Sequence, residues 1–260
     1  MDMQMQLVAD GYAAHYRPRA ASRLPQWARF RDVAYGTTME PVVVVYNKRL
    51  LHDSAIPRDR KQLAALLRAP DSPFTDKVTS FDITKSGTGY LFAAQDAEAD
   101  HENEKLLKTF GEAGIRTSGG TGDMLTAIDR GEALLGYNMM GSYALSRAGK
   151  DLPNLGIVYP SDYTLVLSRV AFISKRASHP AAARLWLDYL LSTRGQQLLG
   201  NALELYPIRD DVEARLTAKK LREAIGSGMR AIPLETKLTR PLQEAWRANF
   251  VMRWKGATGS

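Results

Sequence analysis

Two short stretches of the chain place hydroxyls, glycines and backbone amides where an anion could be gripped: KSGTG at 85–89 and TSGGT at 117–121. Each runs straight into a segment with helical spacing, so Ser86, Gly87, Thr88 and Gly89 form one corner and Ser118, Gly119, Gly120 and Thr121 form another. A helix start leaves backbone N–H groups unpaired and carries about half a positive charge, which favours phosphate or carboxylate. Glycine lets a ligand approach the backbone, and the hydroxyls add neutral donors. Taken singly, Ser or Thr before a helix is an ordinary cap; the recurrence is what points to one anion held twice. Tyr137 and Asn138, in GYNMMGSY at 136–143, put an aromatic ring and an amide at the carboxyl edge of a sheet, where open α/β proteins bind ligands. The alternative is that Tyr137 is a half-buried core residue. Asp162 and Tyr163, in YPSDYT at 159–164, either turn beside a strand or face a cleft where the chain crosses between lobes.

Other chemistries lack their residues. There is no GxxxxGK[ST], no GxGxxG after a strand and no GxSxG, so nucleotide binding and a hydrolase elbow have no support. The four histidines, His15, His52, His101 and His179, show no HxxxH or HExxH spacing, and HENE at 101–104 reads as solvated charge on an exposed helix. No cysteine is present, which removes thiolate nucleophiles, disulfides and Cys-based zinc sites. The net charge of +7 is spread over short, interrupted runs such as RPRAASR and RDRK. Dispersed charge of this kind reads as a solvated basic surface, or a mild field drawing anionic ligands, rather than a nucleic-acid footprint.

The elements that must position the corners alternate. PVVVVYN at 41–47 reads as a strand buried on both faces, and hence as part of a parallel or mixed sheet. Helical spacing covers 3–16, a helix opened by Pro57 and closed by Pro70 buries Leu63, Leu66 and Leu67, and KVTSFDI leads as a strand into the first corner. Helices follow at 88–97 and 101–113, a strand at 115–117, a helix at 122–130, the strand ALLGYNM and the helix YALSRAG. LGIVYP is a short strand and YTLVLSRVAFIS a long one, long enough to cross between lobes. After Pro180 one long helix or two abutting ones bury Leu185, Leu187, Leu190 and Leu191, with further helices at 210–226 and 239–254. Trp246, Phe250 and Trp254, at i, i+4 and i+8, form a packed stripe, and GATGS at the end reads as a polar, disordered tail. Strands alternating with helices indicate an α/β architecture, and 260 residues suffice for one large domain or two lobes. No apolar run approaches the roughly 20 residues of a membrane helix, and no export signal is visible at the start.

In this order, AYGTTMEPVVVVYNKRLL, KVTSFDITKSGTGYLF, GEALLGYNMMGSYALSR, LGIVYPSDYTLVLSRVAFISKRASHPAAARLWLDYLLSTRGQQLL and ELYPIRDDV resemble the extracellular solute-binding proteins of ABC importers, over about residues 1–215. The resemblance is to the branch that includes ferric-ion and phosphorylated-metabolite binders. It implies a type II periplasmic-binding-protein fold of two α/β lobes, with 1–76 as the first part of lobe 1, 77–165 as lobe 2, and 166–260 as the return strand and C-terminal helices of lobe 1. It implies a periplasmic or membrane-tethered extracellular protein that hands a solute to an ABC permease, a binding role rather than an enzyme; the residues themselves offer no catalytic group, metal-ligand set or cofactor motif. In that family the corner matching Ser86, Gly87 and Thr88 holds an anion, and the positions matching Ser118 to Gly120 and Asn138 complete the pocket.

Two departures shape the expectation. Ferric binders of this branch carry adjacent tyrosines shortly after the strand; here that stretch reads Met139-Met140-Gly141-Ser142-Tyr143. A phosphate- or carboxylate-bearing organic solute is therefore expected, with Tyr137 or Tyr163 against its organic part, and ferric iron is the alternative. Family members also begin with a signal peptide and a strand-helix-strand of lobe 1, about 60 residues, before the segment matching MDMQMQLV. The expectation is a truncated lobe 1, monomeric unless another chain supplies the strands. A sensor feeding a histidine kinase and, less favoured, a phosphotransfer enzyme are the competing roles.

Overall fold

The structure, a computed structural model, describes residues 1–259. In chain order its helices are α1 (Asp2–Ala9), α2 (Arg60–Arg68), α3 (Gly87–Ala99), α4 (Asn103–Glu112), α5 (Thr121–Arg130), α6 (Gly141–Arg147), α7 (Pro180–Leu191), α8 (Thr193–Ala202), α9 (Ala218–Ile225) and α10 (Glu244–Thr258). Its strands are β1 (Arg29–Phe30), β2 (Ala34–Gly36), β3 (Thr38–Asn47), β4 (Val78–Phe81), β5 (Arg116–Ser118), β6 (Leu135–Met140), β7 (Leu155–Val158), β8 (Thr164–Leu167), β9 (Val170–Ala171), β10 (Tyr206–Pro207) and β11 (Met229–Ala231). They divide into two compact units: Met1–Glu40 with Val166–Gly226 and Ala231–Gln243, and Pro41–Leu165 with Ser227–Arg230 and Glu244–Ser260.

These bounds differ from the lobe limits expected from the sequence at two places. The chain enters the second unit at Pro41, not after residue 76, because Val42, Val43 and Val45 of β3 pair with β6 while Val44 and Val45 pair with β7. The C-terminal helix α10 also belongs to the second unit. It lies so close to α4 that a Cβ on Gly111 would fall 2.2 Å from the carbonyl oxygen of Ala257. That contact overturns the reading of residues 256–258 as a tail: α10 runs through them, and Thr258 is buried with its hydroxyl donating to the Trp254 carbonyl. The last position of that stretch, Ser260, lies outside the described residues.

In the second unit, β3 is antiparallel to both β6 and β7, while β4 lies parallel between β5 and β6. Parallel neighbours need crossover connections, and α3 with α4, then α5, supply them. Every residue of β3 but Tyr46 is buried, the pattern expected of a strand covered on both faces. Leu63 and Leu67 of α2, Leu106 and Phe110 of α4, Phe74, Val78 and Leu135 close one core against it. The helix α2 starts three residues later than a proline start would place it. Asp59 takes the cap by accepting from the Gln62 amide at 2.7 Å, which satisfies a donor that Pro57 leaves open.

In the first unit, β1, β2 and β9 form an antiparallel sheet and β10 pairs with Thr38 and Met39. The long strand expected from 163 to 174 is broken, since β8 ends at Leu167 and β9 pairs with β2 in the other sheet. At the break, Arg169 turns its guanidinium to the buried Glu40, with Nε donating to Oε1 at 2.6 Å. The helix expected over 3–16 stops at Ala9, because Gly11 takes φ of +83° and the chain then bridges from Ala13 to Ser174. The helix expected over 210–226 begins only at Ala218, capped by Thr217; upstream, Asp211 is engaged by Arg209 and Arg23 instead. The segment after Pro180 is two abutting helices, with Leu187 and Leu191 buried but Leu185 72% exposed.

Phe110→Ala is expected to lower the unfolding free energy by about 3–5 kcal/mol, the usual range for emptying a buried aromatic site. Leu185→Ala, on the exposed face of α7, is expected to change it by less than about 0.5 kcal/mol. Urea denaturation of the two variants measures the contrast, and a large loss at Leu185 would contradict the placement of that face.

Candidate functional site

Both glycine corners belong to the second unit, and they lie side by side. β4 and β5 are parallel with Phe81 opposite Ser118, so each strand delivers the chain to the same edge before a helix begins. The Asp82 amide donates to the Ser118 carbonyl at 2.7 Å, which extends the pairing into the corners themselves. A Cβ on Gly119 would lie 3.7 Å from the Cβ of Lys85. The starts of α3 and α5 therefore sit at neighbouring strand ends, and their first-turn amides have no intrahelical acceptors.

The corners differ in how much of that donor capacity is taken. Ser86 caps α3, accepting from the Gly89 amide at 3.1 Å. Gly89 is itself buried because a side chain there would meet Phe81, with 2.2 Å between the Cβ atoms. Its glycine is accounted for by helix-to-strand packing, which corrects the expectation that it faces a ligand. The start of α5 has Gly120 at the cap position with no side-chain cap, while Ser118 Oγ accepts from the Gly120 amide at 3.3 Å. Gly87 and Gly119 are exposed, and Thr88, Gly120 and Thr121 half-buried.

The charges around the edge are mixed. Lys85 Nζ meets Asp82 Oδ2 at 2.9 Å, and Thr84 donates to Oδ1 through its amide and its hydroxyl. Burial works to raise the Asp82 pKa, but the hydrogen bonds from Thr84 and Lys85 outweigh it and pull the value down to about 2. At α5, a Cβ on Gly122 would lie 3.9 Å from Arg147 Nη1, so a guanidinium borders that helix start. Arg147 is held there by Asp151, to which its Nε donates at 2.8 Å.

Asn138, Tyr137, Tyr163 and Asp162 have a different setting. The buried Asn138, Tyr137 and Tyr163 and the exposed Asp162 join one network centred on Asp96 of α3 and Arg60 of α2. The Asp96 carboxylate accepts from Tyr137 Oη at 2.8 Å, Asn138 Nδ2 at 2.7 Å, Tyr163 Oη at 2.9 Å and Arg60 Nη2 at 3.2 Å. Arg60 also donates from Nε to Tyr137 Oη and from Nη1 to Asp162 Oδ1 and the Tyr163 carbonyl, and its guanidinium lies 3.5 Å from the centre of the Tyr163 ring. Burial drives both tyrosines well above the ordinary phenol value, and Asp96 adds to the shift. Burial also opposes the Arg60 charge, but Tyr137, Asp96, Tyr163 and Asp162 more than offset it. The expectation that either tyrosine lies against a solute is corrected accordingly: both rings are buried and both hydroxyls point to Asp96. Asn138 is 7% exposed and adopts φ of +57°, a left-handed conformation that asparagine tolerates better than most residues.

Arg60 and Asp96 were missed in the sequence. Arg60 sat in RDRK, which reads as surface charge. A signal did exist for Asp96: it follows the apolar run YLFAA at 90–94, and a carboxylate on a buried helix face requires a partner. The arrangement supplies donors and fixed charges, which suits binding. Among the described residues, no three His, Asp or Glu side chains gather as a possible metal cage.

A family model described as bacterial extracellular solute-binding protein matches residues 2–227. The chain is 30% identical, at a TM-score of 0.88, to the substrate binding protein of an ABC transporter from Agrobacterium tumefaciens, covering 99% of this chain and 76% of that one. The periplasmic binding protein AfuA from Actinobacillus pleuropneumoniae, with exogenous fructose-6-phosphate bound, is 18% identical at a TM-score of 0.73, over 99% of this chain and 80% of that one. The ferric binding protein from Campylobacter jejuni is 18% identical at 0.72, over 99% and 81%. At that identity the last two show likeness of fold alone. No curated protein matches.

Replacing Asp96 by Leu removes the acceptor of four donors and leaves the buried Arg60 with only the exposed Asp162 as counter-charge; a loss of about 3–5 kcal/mol in stability is expected, read by urea unfolding. The depressed Asp82 carboxyl contributes stability that is present above its unfolded value near 3.9 and lost as pH falls through about 2. Wild type should therefore lose more stability than Asp82→Asn between pH 4 and pH 2, and parallel acid-unfolding curves would refute the assignment.

Proposed function

From the premise that this chain belongs to the bacterial extracellular solute-binding proteins, we propose that its solute is a small molecule bearing a phosphate or carboxylate, taken at the paired glycine corners. The family places it as the substrate-binding component of an ABC transporter, with a membrane permease as partner, on the type II periplasmic-binding-protein fold; its relatives are binding proteins, not enzymes. No described helix is long and apolar enough to cross a membrane.

The observation that carries the anionic reading is the adjacency of two helix starts at the ends of parallel strands β4 and β5. Each start contributes unpaired amides and the positive end of a helix dipole, and two aimed at one place favour an anion more than either alone. In this reading the amides of Gly87, Thr88 and Thr121 and the hydroxyls of Thr88, Ser118 and Thr121 hold the anionic group. The ammonium of Lys85 and the guanidinium of Arg147 supply positive charge beside it. Charge-assisted bonds to such donors are about twice as strong as neutral ones. Ser86 and Asn138 support the edge from within, one by capping α3 and the other by donating to Asp96 on the same helix.

Fructose-6-phosphate, held by AfuA, and ferric iron, held by the Campylobacter protein, mark two solute classes found on this fold. The side chains here favour the first. Iron bound through tyrosine needs phenolate oxygens, whereas Tyr137 and Tyr163 are buried, held protonated and committed to Asp96.

Thermal unfolding against inorganic phosphate, fructose-6-phosphate, simple carboxylates and ferric citrate tests this. A ligand at 100 times its Kd adds about 2.7 kcal/mol to stability, and each kcal/mol moves the melting point of a chain of this size by about 2–4 °C. Phosphates or carboxylates are expected to produce such a shift; silence across them with stabilisation by ferric citrate would overturn the proposal. Gly119→Ala has room for its methyl, 3.7 Å from Lys85 Cβ, so its own melting point should hold while anion affinity falls about ten-fold, or about 1.4 kcal/mol.

A further inference from the structure

Three glycines at the start of α5 open onto charged side chains. A Cβ on Gly119 would have Lys85 Cβ as its neighbour at 3.7 Å, one on Gly120 would have Asp123 Oδ2 at 3.8 Å, and one on Gly122 would have Arg147 Nη1 at 3.9 Å, with nothing else within 4 Å beyond their own stretch of backbone. The space over that helix start is open, and its border carries both signs of charge. The Asp123 side chain folds back over the cap glycine, which puts its carboxylate beside the amides that would hold the anion.

The two cations at this edge already have counter-charges. Lys85 is paired with Asp82 at 2.9 Å, and Arg147 reaches Asp151 through both Nε and Nη2 at 2.8 Å. Asp123 has none: among the described residues no Lys, Arg or hydrogen-bond donor engages its exposed carboxylate. An acidic side chain three residues after a helix cap commonly reaches back to the cap amide. Here the Gly120 amide donates to Ser118 Oγ instead, at 3.3 Å, so that bond is not available to Asp123. Three carboxylates therefore stand against two cations. The two helix starts add about half a positive charge each, enough to suit one anionic group. A guest with only negative charge still meets Asp123 unshielded, whereas one with an ammonium near its anion meets a partner there.

We propose that the solute is a small zwitterion, its anionic group held by the glycine corners and its ammonium, a short chain away, paired with Asp123. The inference rests on the anionic reading above and narrows it to amine-bearing phosphates or carboxylates. The cap amides and the Asp123 carboxylate lie within one turn of α5, about 5 Å, which is the span of an aminoethyl group.

Calorimetric titration of the intact chain with two matched pairs tests this: phosphoethanolamine against ethyl phosphate, and β-alanine against propionate. In the pair whose anion the corners take, the amine-bearing member is expected to bind about ten-fold more tightly, the worth of a hydrogen bond to a charged group. Asp123→Asn should abolish that preference by weakening the amine-bearing member while its partner binds no more weakly than before, and Asp123→Glu should keep it. A role for Asp123 confined to the helix start would instead weaken both members of a pair together. Should Asp123→Asn fail to fold, Asp123→Ser carries the same test. Equal affinities within both pairs, a preference that survives in Asp123→Asn, or parallel losses in that variant would overturn the zwitterion and leave the anionic reading standing. Silence of all four compounds up to about 10 mM would overturn both.

Discussion

The ion pair between Arg60 and Asp96 is the constraint on which the second unit depends. Their side chains are 7% and 1% exposed, so both charges have been taken out of water. The desolvation of such a pair is offset only where every remaining donor and acceptor is met. Here the carboxylate takes four donors, and the guanidinium reaches a phenol, a second carboxylate and a backbone carbonyl. The contacts come from α2, α3, β6 and the turn at 162–163, four pieces of chain far apart in sequence. A half-formed version would leave a bare charge in the core, so these pieces have one cooperative way to come together. Asn138, one of those donors, takes a left-handed backbone conformation within β6.

The glycine corners are consequences of the same frame. Asp96 lies on the helix that Ser86 caps, so locking Asp96 fixes the start of α3, and the close approach of Gly89 to Phe81 fixes its height over β4. α5 is set by strand pairing alone, through Phe81 opposite Ser118. One corner is thus rigidly packed, with a capped and partly used set of amides. The other begins at a glycine without a side-chain cap. Asp82, its carboxyl held down by Thr84 and Lys85, tempers the local positive field at this edge.

Much of the architecture was legible because it is written in local patterns. The valine run announced a strand covered on both faces, and the apolar periodicities announced α2 to α5 in order. The misreadings share a cause, which is that a local signal lost to a distant partner. Leu185 follows the helical stripe of α7 but has no neighbour to bury it, and the strand after Tyr163 reads as continuous until Glu40 draws Arg169 aside. GATGS reads as tail until α4 offers α10 a face on which to pack.

The order of strands and helices from β3 to β7, the two Ser/Gly helix entries and the lack of cysteine and of nucleotide-loop motifs were determined by the sequence alone, because each rests on residue type and spacing within a dozen positions. Only the tertiary structure decided that Tyr137 and Tyr163 turn inward, that Arg60 is buried, and that the chain changes units at Pro41. Those outcomes hang on one carboxylate finding donors from segments up to 67 residues away, and no local pattern carries information about partners at that range.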